Sequence, residues 1–336
     1  MPGLINAHDH LEFNLFPQLG RGTYPNAAAW ARDIYHPDRS PIREQLRVPK
    51  PVRLWWGGLK NLLSGVTTVC HHNPYEREVF GEDFPVRVVR RFSWAHSLGF
   101  APDLAARFRQ APGRYPFLVH CAEGTDAAAR GEVQALDELG ALGERTAIVH
   151  GVGLTAAGIA LMRRRRAGLV WCPVSNLAML GRTVSRAVLR SGIPMALATD
   201  SALSAPSDLL DALAAARQFL PPARLYEMVS SEPARILHLS QKRTAGDWIA
   251  VRSQAPTAIQ ALLEGNIALV VVAGRIRLIS PDLARQLPFP VRRRFQLLHI
   301  ENRPPVLVDA DIRGLCRAAA KHLGNDLRLA GKRVLP

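Results

Sequence analysis

The first apolar segment of the chain, residues 3–10, ends in a His-x-His sequence formed by His8 and His10. Side chains two positions apart on a strand point to the same face of a sheet, so these two imidazoles can reach one metal ion. Imidazole nitrogen is a ligand for Zn²⁺ and for other divalent transition metals. The spacing therefore predicts a metal site at the end of this strand.

Two other short apolar segments end in a histidine, and a third ends in an aspartate. These residues are His120, His150 and Asp200. Together with His8 and His10, the ring of His120 and the carboxylate of Asp200 would complete a compact site of three nitrogens and one oxygen. Such a donor set suits one Zn²⁺ ion, with Fe²⁺ and Mn²⁺ as alternatives.

Three residues of this group have the chemistry needed for hydrolysis. A metal bound here would lower the pKa of a coordinated water toward about 7. Glu123, three residues after His120, can take a proton from that water and return it to the leaving group. His150 can orient the water or polarise the group under attack, and Asp200 can hydrogen-bond the water while binding the metal. The pattern predicts Glu123, His150 and Asp200 as catalytic residues.

The elements that must position these side chains alternate along the chain, which favours parallel strands joined by helical crossovers. The predicted strands cover residues 3–10, 66–71, 86–92, 116–121, 147–150, 168–172 and 194–199. The predicted helices cover residues 51–63, 102–110, 127–139, 155–165, 185–191, 207–218 and 222–239. A (β/α)8-type TIM barrel fits this order, and in such barrels the chemistry lies at the carboxyl ends of the strands. Only seven strands are evident, and residues 93–96 either extend the third strand or form the eighth.

The alternation of predicted strands and helices ends at about residue 240. Residues 246–251 and 268–277 are predicted strands, the latter turning at Ala273 and Gly274. We expect a barrel over 1–240, partial β-sandwich strands over 241–280, and a basic extension over 281–336. That extension is rich in proline and arginine and contains a predicted helix at 312–323.

Several short sequences resemble those of the amidohydrolase superfamily, in its cytosine deaminase/chlorohydrolase-like (triazine hydrolase-like) branch. They are PGLINAHDH at 2–10, GVTTV at 65–69, HCAE at 120–123, IVHG at 148–151, CPVSN at 172–176, ATDS at 198–201 and EPARIL at 232–237. The resemblance covers residues 1 to about 280. It implies a TIM barrel that deaminates, dechlorinates or cleaves amides or amidines in small polar or heterocyclic substrates.

The resemblance also implies roles for individual residues. His8, His10, His120 and Asp200 would bind the metal, and Glu123 would shuttle protons. His150 would contact the water or the substrate. Binuclear members of the superfamily bridge two metals with a carboxylated lysine on a barrel strand, and this chain has no lysine between positions 60 and 242. We therefore expect one metal ion.

Two departures from the family bear on the fold. Family members usually have about sixty residues before the His-x-His strand, and these build most of a small sandwich. We therefore expect the strands after residue 247 to lack partners, unless another subunit completes them or the reading frame starts late. The region between the third and fourth strands is also short. At the mouth of the barrel, His72, Asn73 and Asn176 are predicted substrate contacts.

The amino-acid composition bears on whether the protein binds nucleic acid, a membrane or a small molecule. The formal net charge of +15 comes mostly from dispersed arginines, without the aromatic interleaving typical of nucleic-acid surfaces. The sequence has no transmembrane segment and no signal peptide, and its four cysteines are scattered, which suits a cytoplasmic protein. A small-molecule substrate is the expected partner, and a homo-oligomer is left open. The alternatives to an enzyme are a catalytically degenerate, amidohydrolase-like binding protein and a basic nucleic-acid-associated protein.

Overall fold

The computed structural model describes residues 1–240, 245–264 and 266–335. Two parallel sheets form the larger part of the protein, with the strand orders β1-β2-β3 and β4-β5-β6-β7-β8. Their strands are Leu4–Asp9 (β1), Val66–His71 (β2), Arg87–Val88 (β3), Ser93–Ser97 (β4), Phe117–Cys121 (β5), Thr146–His150 (β6), Gly168–Trp171 (β7) and Met195–Leu197 (β8). The predicted parallel α/β architecture is confirmed, and β1, β2 and β5 to β8 are buried along their length because helices cover them.

The region that was ambiguous in sequence forms a bent connection between the two sheets. The predicted strand 86–92 is shorter in the structure, where β3 pairs with β2 and β4 pairs with β5. Between them, the amide of Val89 donates to the carbonyl of Val69 at 2.9 Å, and Ser93 donates to Pro116 at 2.8 Å. A β3–β4 ladder is absent from the described residues, so one continuous barrel ladder is not formed.

The opposite edges of the two sheets meet at β1 and β8. The Asp200 amide donates to the His8 carbonyl at 3.3 Å. Nearer the start of these strands, Ile5 donates to the carbonyl of Val229 at 2.9 Å, and Leu197 donates to Met228 at 2.8 Å. The chain around Met228 and Val229 therefore satisfies backbone groups of both strands where they separate.

Helices pack around the parallel strands and connect them. They are Ala27–Ile34 (α1), Ile42–Arg47 (α2), Lys50–Leu63 (α3), Leu104–Gln110 (α4), Ala127–Glu138 (α5), Ala156–Arg165 (α6), Pro173–Leu180 (α7), Arg186–Leu189 (α8), Leu209–Ala216 (α9), Pro222–Glu227 (α10), Ser231–Ile236 (α11), Ala258–Leu263 (α12), Pro281–Ala284 (α13), Phe289–Arg292 (α14) and Ile312–Leu323 (α15). The predicted helix 222–239 is two helices, α10 and α11, and the helix predicted at 312–323 is confirmed. None of the described helices is long and apolar enough to span a bilayer.

The last third of the chain forms a seven-stranded antiparallel sheet of order β14-β15-β12-β13-β11-β10-β9. Its strands are Trp248–Val251 (β9), Ile267–Val272 (β10), Arg275–Ile279 (β11), Gln296–Ile300 (β12), Val306–Val308 (β13), Arg328–Leu329 (β14) and Lys332–Leu335 (β15). The hairpin β10–β11 turns at Ala273 and Gly274 as predicted, with both residues at positive φ.

The expectation that the strands after residue 247 lack partners is wrong. Residues 281–336 supply four strands that continue the same sheet from β11, and β13 pairs directly with β11. The sequence did not indicate these strands because they are two to five residues long and lie among prolines and arginines. Ion pairs from buried Asp208 to half-buried Arg303 and Lys332 join this segment to the amino end of α9.

Candidate metal centre

Four of the predicted ligand atoms converge at the carboxyl ends of the parallel strands. The Nε2 atom of His120 lies 3.3 Å from Nε2 of His8 and 3.3 Å from Nε2 of His10. The Oδ1 atom of Asp200 lies 3.6 Å from Nε2 of His8 and 3.7 Å from Nε2 of His10. Donors about 2.0–2.1 Å from a tetrahedral Zn²⁺ are separated from one another by about 3.3–3.4 Å. The spacing of these four atoms therefore fits one metal ion.

The backbone at these positions is under local constraint. His8 lies within β1 and His120 within β5, whereas Asp200 follows β8. His150, the last residue of β6, has φ +78°, and Asp200 has φ +62°. Non-glycine residues adopt positive φ only at a cost in free energy, and surrounding structure must hold them there. Two residues predicted to act in the site therefore occupy conformations that the fold imposes.

Hydrogen bonds behind His8 fix which of its nitrogens carries the proton. The Nε2 atom of His72 lies 3.0 Å from the carbonyl oxygen of Ala95 and must donate to it. In a neutral ring the Nδ1 atom of His72 is then an acceptor, and it lies 3.1 Å from Nδ1 of His8. His8 therefore donates through Nδ1 and directs the lone pair of Nε2 toward the other ligands.

A single hydrogen bond fixes the tautomer of His120. Its Nδ1 atom lies 2.7 Å from the carbonyl oxygen of His96, so it donates a proton there. A carbonyl oxygen can only accept, which leaves the Nε2 lone pair of His120 free to bind a metal.

A chain of side chains orients His10. Its Nδ1 atom lies 2.6 Å from Oδ1 of Asn73, whose amide donates to Glu12 at 2.8 Å. Glu12 in turn lies 3.2 Å from Nε2 of His71, and the Nδ1 atom of His71 accepts from the Leu11 amide at 3.2 Å. This sequence of donors and acceptors sets the His10 tautomer, so three Nε2 lone pairs point into one space.

Burial keeps these imidazoles in the form that binds metals. It lowers the pKa of His8 to about 4 and holds the pKa of His120 well below its usual range. Both rings are therefore neutral at neutral pH, as metal ligation requires. Burial disfavours the Asp200 carboxylate, but the adjacent imidazoles of His8, His150 and His10 hold the pKa of Asp200 well below its usual value.

Two serine hydroxyls hold the second carboxylate oxygen of Asp200. Ser175, on α7, donates to Oδ2 at 2.8 Å, and Ser204 donates to the same atom at 2.7 Å. Because Oδ2 is occupied, Oδ1 is the oxygen left to face the histidines. Sequence reasoning missed both serines as site residues, although Ser175 lies in the CPVSN segment that carried part of the resemblance.

Glu123 and His150 lie beside the ligand group. The Oε1 atom of Glu123 is 3.3 Å from Nε2 of His150, and Nδ1 of His150 lies 2.9 Å from Oδ1 of Asn176. Burial, with the nearby carboxylates of Asp200 and Glu132, raises the pKa of Glu123 well above its usual value. A protonated Glu123 can donate to His150 Nε2, which is an acceptor when Nδ1 donates to Asn176.

A buried polar network lies beneath the ligands. Lys60 forms an ion pair with Asp9 at 2.9 Å and donates to the carbonyl of Asp200 at 3.2 Å. Asp9 lies between His8 and His10 in sequence and also accepts from Asn14 at 2.9 Å and Asn61 at 2.8 Å. Each of these polar groups is paired, as burial in the interior requires. Nothing in the sequence marked Lys60 as a site residue.

The three residues predicted to contact substrate lie around the ligands in different ways. His72 and Asn176 are fully buried and contact His8 and His150 respectively. Asn73 is partly exposed and contacts His10. His96 is exposed on β4, with its ring centroid 4.8 Å from that of His120. The structure therefore brings all the predicted residues together, and it places His72 and Asn176 behind other histidines.

Residues 117–277 match the family model described as the amidohydrolase family. This segment, a little under half of the chain, is similar to that family. Its sequence is similar to the 5-methylthioadenosine/S-adenosylhomocysteine deaminase 1 of Archaeoglobus fulgidus, with 38% identity over 74 residues, which cover 21% of this chain and 18% of that protein. It is also similar to the 5-methylthioadenosine/S-adenosylhomocysteine deaminase of Natronomonas pharaonis, with 34% identity over 127 residues, 34% of this chain and 30% of that protein. The matched regions thus span less than a third of these curated relatives.

Solved structures share the fold over nearly the whole of this chain. An adenosine deaminase from Xanthomonas campestris with bound zinc aligns with a TM-score of 0.65 and 18% identity, covering 96% of this chain and 84% of its own. A mutant of atrazine chlorohydrolase from Arthrobacter aurescens TC1, complexed with zinc and atraton, aligns with a TM-score of 0.68 and 17% identity, covering 96% and 88%. These alignments show the fold, and the match over residues 117–277 confirms the resemblance to amidohydrolases that the sequence motifs indicated.

Proposed function

We propose that this protein is a mononuclear zinc-dependent hydrolase that cleaves a carbon–nitrogen bond, by deamination or by amide or amidine cleavage, in a small polar or heterocyclic substrate. The observation that carries the proposal is the convergence of three histidine lone pairs and one carboxylate oxygen within 3.3–3.7 Å of their neighbours. Unshared lone pairs held this close repel one another, and a bound cation turns that repulsion into attraction.

The residues present fit a divalent ion. His8, His10, His120 and Asp200 would hold it, with three nitrogen donors and one oxygen donor in the preference range of Zn²⁺. When bound, such an ion supplies Lewis-acid chemistry that lowers the pKa of water and polarises the group under attack. Zinc is supported further by the zinc reported in the two structural neighbours.

Glu123 is proposed as the proton shuttle. Burial and the nearby carboxylates raise the pKa of Glu123, so its carboxyl group holds a proton more readily than an exposed glutamate does. As a carboxylate it takes a proton from the attacking water, and as an acid it delivers that proton to the leaving nitrogen. His150 is proposed to hold Glu123 in place and to donate no proton itself, because its Nδ1 atom is occupied by Asn176.

The two parallel sheets are proposed to form one distorted (β/α) barrel, with residues 86–97 as a single bent strand. Support comes from the proposed ligands, since His8 belongs to one sheet, His120 belongs to the other, and Asp200 follows the last strand of that second sheet. We further propose that His72 and Asn176 orient the histidines in front of them rather than touch substrate.

The substrate class is proposed from the relatives. Two are named as deaminases of adenine-containing thioethers, one as an adenosine deaminase and one as a triazine chlorohydrolase. In each case the named substrate contains a nitrogen heterocycle with an exocyclic substituent. A planar nitrogen heterocycle that carries an amino group is therefore the first class to test.

The decisive experiment compares the wild-type chain with Glu123→Gln, using release of ammonia from aminopurines, cytosine and aminotriazines. Metal content is measured in the same samples. We expect turnover by the wild type and a loss of at least about a hundredfold in kcat for the variant, with one zinc per chain retained in both. Wild-type turnover that survives the substitution would refute the role of Glu123.

The degenerate-protein alternative predicts a different result in the same experiment. The wild-type chain would bind zinc stoichiometrically but would release no ammonia or other product from any compound in the panel. Glu144→Gln serves as the matched control for the glutamate substitution, because Glu144 is exposed and its one ion pair is with exposed Arg166. This variant should keep wild-type kcat.

A further inference from the structure

A cavity of about 820 Å³ lies away from the metal centre, between the parallel strands and the antiparallel sheet. Its lining includes Arg114 and Tyr115, which precede β5, whereas His120 lies near the other end of that strand. The hairpin β10–β11 forms another wall. The volume is within the range of pockets that hold cofactor-sized or drug-sized ligands.

The lining of the cavity is strongly basic. Among the described residues that line it, one side chain is acidic, Glu82, and six are arginines, at positions 87, 90, 91, 114, 275 and 277. Three of the arginines pair with aspartates: Arg87 with Asp247, Arg275 with Asp83 and Arg277 with Asp309. The other three, Arg90, Arg91 and Arg114, have no ion-pair partner in the part of the chain that the structure describes. Because the one carboxylate of Glu82 offsets only one of these three charges, the described lining of the cavity keeps a net positive charge.

Two buried polar atoms in the lining also lack a hydrogen-bond partner within the described ranges. They are Oγ1 of Thr68, a residue only 3% exposed, and Nε of Arg277, also 3% exposed. An unpaired buried donor or hydroxyl costs free energy unless a ligand or water satisfies it. Arg277 donates through its other nitrogens to Asp309 and to the carbonyl of Glu82, so Nε is the nitrogen left over. Both atoms are closed off from solvent, so the polar groups that face the open cavity are the exposed arginines.

The remaining wall is apolar and aromatic. Tyr75, Phe80 and Phe84 form a cluster with ring centroids 5.0–5.1 Å apart, and all three line the cavity. Val89 and Leu237 add aliphatic surface. A ligand that fits this lining combines a flat apolar portion with a strongly anionic group.

We propose that this cavity binds a phosphorylated small molecule with a flat apolar body, at a site separate from the metal centre. The three guanidinium groups without an ion-pair partner among the described residues offer more donors than the two oxygens of one carboxylate can accept, whereas a phosphate offers three or more oxygens. The aromatic cluster provides the surface for the apolar body. This site does not depend on the function proposed for the metal centre.

The test measures binding of phenyl phosphate to the full chain by isothermal titration calorimetry, with phenol and inorganic phosphate as partial probes. The cavity variant is Arg90→Gln/Arg91→Gln/Arg114→Gln. The matched control is Arg164→Gln/Arg186→Gln/Arg317→Gln, which changes the net charge equally at exposed arginines that do not line the cavity. All six positions are exposed, so neither variant removes packed core.

We expect one phenyl phosphate per chain, with affinity about tenfold weaker or more in the cavity variant and within about twofold of wild type in the control. Inorganic phosphate should bind more weakly at the same site, and phenol should not bind detectably. No saturable binding by the wild type would overturn the proposal. So would an equal loss in both triple variants, which would indicate non-specific attraction to the net charge.

Discussion

Nδ1 of His72 lies 3.1 Å from Nδ1 of His8, and the other nitrogen of His72 is committed to the Ala95 carbonyl. The proton between the two rings therefore belongs to His8, and the second nitrogen of His8 is left bare. His72 is fully buried and does not face the open site, yet it determines that Nε2 of His8 is the nitrogen that can bind a metal.

The substitution His72→Leu tests this relationship. We expect zinc affinity to fall by about tenfold to a hundredfold, because His8 loses the acceptor that fixes its tautomer. Affinity is measured by competition with a chromophoric chelator, and circular dichroism verifies that the variant is folded. His36→Leu, at an exposed histidine, is the control and should bind zinc like the wild type. An unchanged affinity in folded His72→Leu would show that His8 needs no such support.

Helix α3 packs closely against the chain just after β1, and this contact gives a second prediction. A Cβ atom on Gly57 would lie 2.2 Å from the carbonyl oxygen of Leu11, the residue after His10. Gly57→Ala must therefore displace one of the two backbones, and we expect about 1–3 kcal/mol of lost stability with weaker zinc binding. Chemical denaturation and chelator competition measure the two effects.

Gly131→Ala is the matched control for that substitution. Gly131 lies on α5 with open space where a Cβ would be, so alanine should raise stability by up to about 1 kcal/mol and leave zinc binding unchanged. If Gly57→Ala behaved like Gly131→Ala, the contact between α3 and Leu11 would not constrain the site.

The ion pairs of Asp208 predict how stability depends on pH. Burial opposes the charged form of Asp208, but Arg303 and Lys332 outweigh it and lower the pKa from 3.8 to about 2. Because the folded pKa lies below the unfolded value, this stabilisation is complete above about pH 4 and is lost as pH falls through about 2. Asp208→Asn keeps the cap on α9 but removes the charge.

Urea unfolding of wild type and Asp208→Asn across this pH range measures the effect. The wild type should be more stable by about 2 kcal/mol at pH 7, and the difference should shrink steadily toward about pH 2. Asp326→Asn, at an exposed aspartate, should show little difference at either pH. A gap between wild type and Asp208→Asn that is as large at low pH as at neutral pH would contradict the assignment.

The candidate metal-site residues could be predicted from the sequence because each lies at or just after the end of an apolar strand. All of these residues lie at the carboxyl ends of parallel strands: His8, His10, His120, His150 and Asp200. Parallel strands bring those ends to one side of the sheet, independently of the conformation of the connecting loops. The contacts behind them could not be predicted in this way. Whether His72 faces substrate or His8 depends on side-chain directions that vary from one residue to the next at a strand end.

The fold, like the site, could be predicted only in part from the sequence. Long periodic segments such as α3 and α15 lie where their patterns indicated, within a residue or two. The strands β12 to β15 were not found, because two to five residues cannot display a reliable alternation, and their stability comes from pairing across the sheet rather than from their own sequence.

The most direct test of the metal centre is zinc stoichiometry after reconstitution and dialysis, measured by mass spectrometry of elements. The account predicts one zinc per wild-type chain and less than a tenth of that in His120→Ala and in Asp200→Ala at the same free zinc concentration. A folded wild-type chain that retains no zinc, or variants that retain as much as wild type, would contradict it.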